Sequence, residues 1–125
     1  MILGIGLDLV DTARVRELLA DHAGRFEELV FTAAERADCA GRADRAEALA
    51  ARFAAKEACF KALGTGWNQG VSFLQVEVVR QEGGAPALRL SGPAAERAQA
   101  RGVRRLHVTL THTGAAAAAT VILEG

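Results

Sequence analysis

The hydrophobic pattern divides the chain into short, well-marked blocks. Residues 2–10 (ILGIGLDLV) are a nearly continuous apolar run rich in Ile, Leu and Val, which predicts a buried strand. Asp11 or Thr12 stands at its end as an N-cap, and residues 13–20 continue as a helix. Thr32-Ala33-Ala34-Glu35 matches a capping box, so a second helix is predicted from about Ala33, ended or kinked at Gly41. Residues 45–63 carry the longest helical pattern, with Gly64 at the C-cap position. A glycine-rich loop follows at 64–70. Residues 73–80 and 86–90 read as the strands of a hairpin that turns at Gly83-Gly84. Ser91-Gly92-Pro93 opens a short helix that Gly102 closes. Residues 106–110 and 116–123 are the last two strands, separated by Thr111-His112-Thr113-Gly114, and the alanine run 115–119 reads as a tightly packed strand. Strand, helices, hairpin, helix, hairpin is the order of an α+β fold with a mainly antiparallel sheet packed against the long helix.

Size and composition narrow this picture. A chain of 125 residues suits one domain, 1–125, with a modest core. It has little room for a deep cleft of its own, which brings a site between subunits into consideration. Fifteen basic residues balance fifteen acidic ones, so no bulk attraction to nucleic acid or membrane is expected. The excess of Arg over Lys, with only Lys56 and Lys61 present, reads as a coding bias. Cys39 and Cys59 make neither a disulfide framework nor a metal cluster. The apolar run at residues 1–10 contains Asp8 and lacks both a basic region and a cleavage site, so it is not a signal peptide. No stretch is long and apolar enough to span a bilayer. The expectation is a soluble, cytoplasmic protein.

Charged residues in apolar surroundings are the candidates for chemistry. On the helix at 45–63, Leu49, Phe53, Phe60 and Leu63 form an apolar stripe roughly 80° wide at about 100° per residue. Lys56 projects near its middle, where it must be paired, snorkelled or functional. Glu57 lies on the border, and Lys61 is one turn beyond, spaced for a surface ion pair. Asp8 interrupts an apolar strand, and Gly4 and Gly6 let backbone or ligand come close. If Asp8 and Glu57 converge, they suit Mg²⁺, which takes few protein ligands and completes its octahedron with water and phosphate. The loop of Gly64, Thr65 and Gly66 could offer N–H groups to phosphate, although a helix C-terminus is the wrong dipole end for an anion. Thr109, Thr111 and Thr113 share one strand face with His112 opposite, and both residue types can hydrogen-bond phosphate oxygens.

Three segments together resemble a known family. GIGLD at 4–8, ARFAAKEACFKALGTG at 51–66 and TLTH at 109–112 are similar to the holo-acyl-carrier-protein synthases, whose pattern is G-x-D, F-x-x-K-E-A-x-x-K-A-L-G-T-G and S-x-S-H. Phe31-Thr32 followed by Glu35 matches the family's F-T-x-x-E segment. The resemblance covers essentially the whole chain. It implies a 4'-phosphopantetheinyl transferase fold and transfer of phosphopantetheine from coenzyme A to the serine of an apo acyl carrier protein, releasing 3',5'-ADP. The carrier would serve fatty-acid or polyketide synthesis. Asp8 and Glu57 would hold Mg²⁺, and Lys61 would sit by the reacting phosphate. Gly64, Thr65 and Gly66 would line the adenosine-phosphate pocket, and Thr111 and His112 would contact coenzyme A phosphates. Arg14 would meet the acidic carrier protein. The serine proton would go to Glu57, to Lys61 if deprotonated, or to a Mg²⁺-bound water. A homotrimer with sites between neighbouring chains is also implied.

The chain departs from the pattern in two places. Thr109 and Thr111 replace the usual serines, and Glu27-Glu28 stand where the family often has a basic residue. Two other classes bear on the same residues. A Mg²⁺-dependent nucleotide-diphosphate hydrolase would consume coenzyme A without a carrier protein. A non-catalytic oligomeric binding module would show neither metal dependence nor coenzyme A binding.

Overall fold

The structure, a computed structural model, describes residues 1–65 and 69–125. Its elements are β1 (Ile2–Asp11), α1 (Thr12–Ala20), a 3-10 turn (His22–Gly24), α2 (Arg25–Val30), α3 (Ala33–Ala40), α4 (Arg45–Leu63), a second 3-10 turn (Phe73–Gln75), β2 (Val76–Arg80), β3 (Pro86–Leu90), α5 (Gly92–Ala100), β4 (Arg105–His112) and β5 (Ala116–Glu124). The capping box at Thr32 and Glu35 is present as predicted, and α4 has the predicted bounds. Three expectations are corrected. Thr111 and His112 belong to strand β4 and not to the segment between the last two strands. The strand predicted over 73–80 begins only at Val76, because Ser72 and Gln75 cap each other around a turn of 3-10 helix. Between α1 and α3 lies α2, whose six residues are too few to show a helical period.

Two antiparallel sheets result, one in the order β1-β5-β4 and the other formed by the β2-β3 hairpin. Glycine at 83 and 84, with φ of 93° and 89°, supplies the left-handed backbone of the hairpin turn. Helix α4 lies across the inner face of the three-stranded sheet and against α3 and β2. It therefore buries far more than the predicted stripe. Leu49 and Leu63 are buried, and so are Ala50, Ala54, Ala55 and Ala58 on other faces. The alanine run supplies the matching inner surface of β5, where Ala117 and Ala119 are buried. Among the described residues no helix is long and apolar enough to cross a membrane.

The glycines of β1 set how closely strand and helix approach. A Cβ on Gly6 would lie 1.9 Å from the Ala58 carbonyl oxygen, and one on Gly4 would lie 2.2 Å from that of Ala62. These are backbone atoms of α4, so relief requires the whole helix to move. Gly6→Ala is expected to lower stability by about 3 kcal/mol. The check is the denaturant midpoint; a shift no larger than that of a surface substitution would show that α4 can back away.

Lys56 is fully buried and fully partnered. Its ammonium meets Glu35 at 2.7 Å and donates to the carbonyls of Phe73 and Val76 at 2.9 and 2.7 Å. Glu35 also accepts from the backbone N–H groups of Thr32 and Val78. The start of α3, α4, the second 3-10 turn and β2 are thereby tied together. Burial pushes the Lys56 ammonium below the usual lysine range, partly offset by Glu35.

Candidate functional site

The close packing of β1 on α4 brings Asp8 to the charged flank of the helix. Lys61 donates to Asp8 Oδ1 at 2.9 Å and to the Leu7 carbonyl at 3.0 Å. The expected Glu57–Lys61 pair on the helix surface therefore gives way to a tertiary one. Asp8 is 8% exposed, while the Lys61 side chain is 55% exposed, so only the carboxylate end of the pair is shielded from water. Glu57 is half-buried, and its carboxyl is pushed above the usual carboxylate range, first by burial and then by the charge of Asp8. Lys61 and Arg14 act in the opposite direction. Four of the predicted site residues, Asp8, Arg14, Glu57 and Lys61, thus lie within electrostatic reach of one another.

Asp8, Arg14 and Glu57 stand at the polar end of a cleft of about 500 Å³. Asp11 also lines it, and the rest of its walls are apolar, formed largely by Leu18, Phe26, Leu29, Val30, Phe53 and Phe73. The sequence pattern had assigned Phe53 to the helix's apolar stripe, which is where it lies. The contribution of α1 and α2 to the same cleft is visible only in the fold.

The donor set fits a hard divalent cation. Asp8 Oδ2 is buried without a hydrogen-bond partner among the described residues, while its other oxygen holds Lys61. An unsatisfied buried carboxylate oxygen beside a second carboxylate is costly unless a cation joins them. No group of three or more His, Cys, Asp or Glu that could hold a metal is found among the described residues. Two carboxylates with open positions match Mg²⁺, which keeps water and phosphate in its shell.

Gly64 caps α4 in the left-handed conformation, with φ of 71°. Its N–H goes to the Lys61 carbonyl and that of Thr65 to the Phe60 carbonyl, at 3.1 and 3.0 Å. Both of these donors are committed within the chain. Gly66 lies outside the described residues.

Thr111 and His112 are elsewhere. Asp8 pairs in register with Ala119, while His112 pairs with Ala117 on the far side of β5. Two strand spacings and two residues along the strand separate Asp8 from His112, about 12 Å between Cα atoms. His112 faces the start of α4, and Thr111 faces the opposite side of the sheet. The two clusters are thus separate in the chain, on the two outer strands of one sheet.

Beside His112 is a pocket of about 180 Å³ that Arg42, Arg52 and Arg80 also line. Arg52 is buried and gives one guanidinium N–H to the Ala48 carbonyl, but its Nε has no partner among the described residues. Three arginines around one small opening give it the positive charge that an anion would need. Sequence reasoning missed all three. The available signal was the excess of arginine, which composition alone could not divide into scattered and convergent residues.

Comparison with known proteins gives the family. The 4'-phosphopantetheinyl transferase superfamily profile matches residues 4–120. A holo-[acyl-carrier-protein] synthase of Anaeromyxobacter dehalogenans is 56% identical, covering 100% of this chain and 98% of that protein. The crystal structure of the holo-[acyl-carrier-protein] synthase from Neisseria meningitidis superposes with a TM-score of 0.89 at 31% identity over 100% of both chains. That of Bacillus anthracis, solved in complex with CoA (3',5'-ADP), gives 0.80 at 35% identity over 98% and 96% of the two chains. The α+β fold, the three matched motifs and these likenesses agree: the chain belongs to the 4'-phosphopantetheinyl transferase superfamily, in its holo-[acyl-carrier-protein] synthase branch.

Proposed function

We propose that this enzyme transfers 4'-phosphopantetheine from coenzyme A to a serine of an apo acyl carrier protein, with Mg²⁺ held by Asp8 and Glu57. The observation that carries this reading is the meeting of Asp8 and Glu57 in the lining of one cleft, with Lys61 bonded to Asp8 and Asp8 Oδ2 left unsatisfied. The serine oxygen forms a bond to the β-phosphorus of coenzyme A while the bond from that phosphorus to the bridging oxygen breaks, and 3',5'-ADP leaves. Bound Mg²⁺ supplies charge neutralisation at the diphosphate. Lys61, held in place by Asp8 and the Leu7 carbonyl, brings a positive charge to the same region as negative charge grows. With Lys61 committed as a donor, we assign the serine proton to the Glu57 carboxylate. The arginine pocket beside His112 has the chemistry for another coenzyme phosphate. Intact mass of apo carrier proteins after incubation with coenzyme A, Mg²⁺ and this protein tests the reading. It expects the mass of one phosphopantetheine to be added; unmodified carriers across a fatty-acid and polyketide panel would overturn it.

The apolar wall of the cleft, next to Arg14, suits a carrier helix with an acidic surface. Arg14→Glu is expected to raise the apparent KM for carrier protein and leave kcat close to the parent value. Steady-state kinetics over a range of salt checks this, and an unchanged KM would remove Arg14 from the contact.

The separation of the two clusters supports our reading that the site is shared between chains. The outer face of β1 carries Ile5, Leu7 and Leu9, each more than half exposed. Apolar side chains in register on a strand face need a cover, and a homotrimer supplies one. Asp8, Glu57 and Lys61 would then come from one subunit, and Thr111 and His112 from its neighbour. Glu57→Ala and His112→Ala proteins, each nearly inactive, should regain part of their activity after unfolding and refolding together. No recovery despite confirmed subunit exchange would place every site within one chain.

A further inference from the structure

His112 does not stand free at the end of β4. Its Nδ1 is hydrogen-bonded to the carboxylate of Glu47, in the first turn of α4. That carboxylate is itself well placed. The Glu47 side chain is 19% exposed, against 49% for His112. Its backbone N–H is held by the Asp44 side chain at 3.1 Å, which caps the helix. A negative charge beside a pocket lined by Arg42, Arg52 and Arg80 works against anion binding there, unless the carboxylate serves another purpose.

We infer that Glu47 is a positioning residue for His112: it accepts from Nδ1–H, fixes the ring, and leaves Nε2 facing the arginine pocket for a phosphate oxygen of coenzyme A. This rests on the reading that His112 contacts the coenzyme. The hydrogen bond at one ring nitrogen decides which edge the other presents. A ring between Glu47 and a phosphate donates from both nitrogens. Glu47 touches the ligand nowhere and acts through the imidazole alone.

The test uses the full-length protein and coenzyme A. Glu47→Ala should weaken coenzyme A binding, measured by calorimetry, by roughly tenfold, the scale of one hydrogen bond to a charged group. KM for coenzyme A should rise with kcat little changed. Glu47→Gln keeps an acceptor oxygen and should restore part of the affinity. Ring ¹⁵N shifts of His112 should show a protonated Nδ1 in the parent and a mixture of tautomers in Glu47→Ala. In a His112→Ala background, Glu47→Ala should have no further effect. Parent-like binding by Glu47→Ala, or a loss that persists without His112, would overturn the inference. Parent-like binding by His112→Ala would instead remove the coenzyme contact, and the role of Glu47 would fall with it.

Discussion

Asp8→Asn and Glu57→Gln should each reduce phosphopantetheine transfer by about a hundredfold or more, the scale of losing a metal ion that stabilises transition-state charge. Each replacement keeps the shape of the side chain and removes one of the two carboxylates proposed to hold the ion. Asp8→Asn also weakens the hold on Lys61, now anchored at 2.9 Å. The loss should shrink when Mg²⁺ is raised if residual binding is the limit. Stability should move the other way for Glu57. Its carboxyl is pushed up by burial and by Asp8, so the folded chain holds that proton more tightly than the unfolded chain. Stability from this group is present at acid pH and is lost as pH rises through its raised range. Metal-free Glu57→Gln should therefore melt above the parent at neutral pH while failing in transfer. Rates from carrier mass gain, set beside melting curves in chelator, check both halves. Near-parent transfer at low Mg²⁺ in either variant would remove that residue from the metal site.

Lys56→Met should destabilise the protein by about 3–5 kcal/mol, the usual consequence of stranding one half of a buried ion pair. Methionine fills similar volume, so the loss is electrostatic. It leaves Glu35 buried with two backbone N–H partners and no cation, and it removes the ammonium donor from the carbonyls of Phe73 and Val76. Glu35→Gln should cost less alone, and the double variant should be more stable than the sum of the singles requires. Denaturant midpoints with an unchanged m-value measure this. Additive singles would mean that Lys56 and Glu35 are buried independently.

Much of the fold was legible along the chain because its signals are local. The capping box at Thr32, the bounds of α4, the glycine hairpin turn and the proline opening α5 each depend on a few consecutive residues. The matched motifs also singled out Asp8, Glu57, Lys61 and His112 by residue type and order. Which side chain each charge meets depends on approach between distant segments, and only the tertiary structure decided it. Lys61 turned from its helical neighbour Glu57 to Asp8, since Gly4 and Gly6 let β1 close onto α4. Lys56, on a face that looked apolar, found Glu35 from another helix. Three arginines separated by up to 38 positions converge beside His112, and no spacing along the chain could have marked them, because a pocket is a property of packed elements.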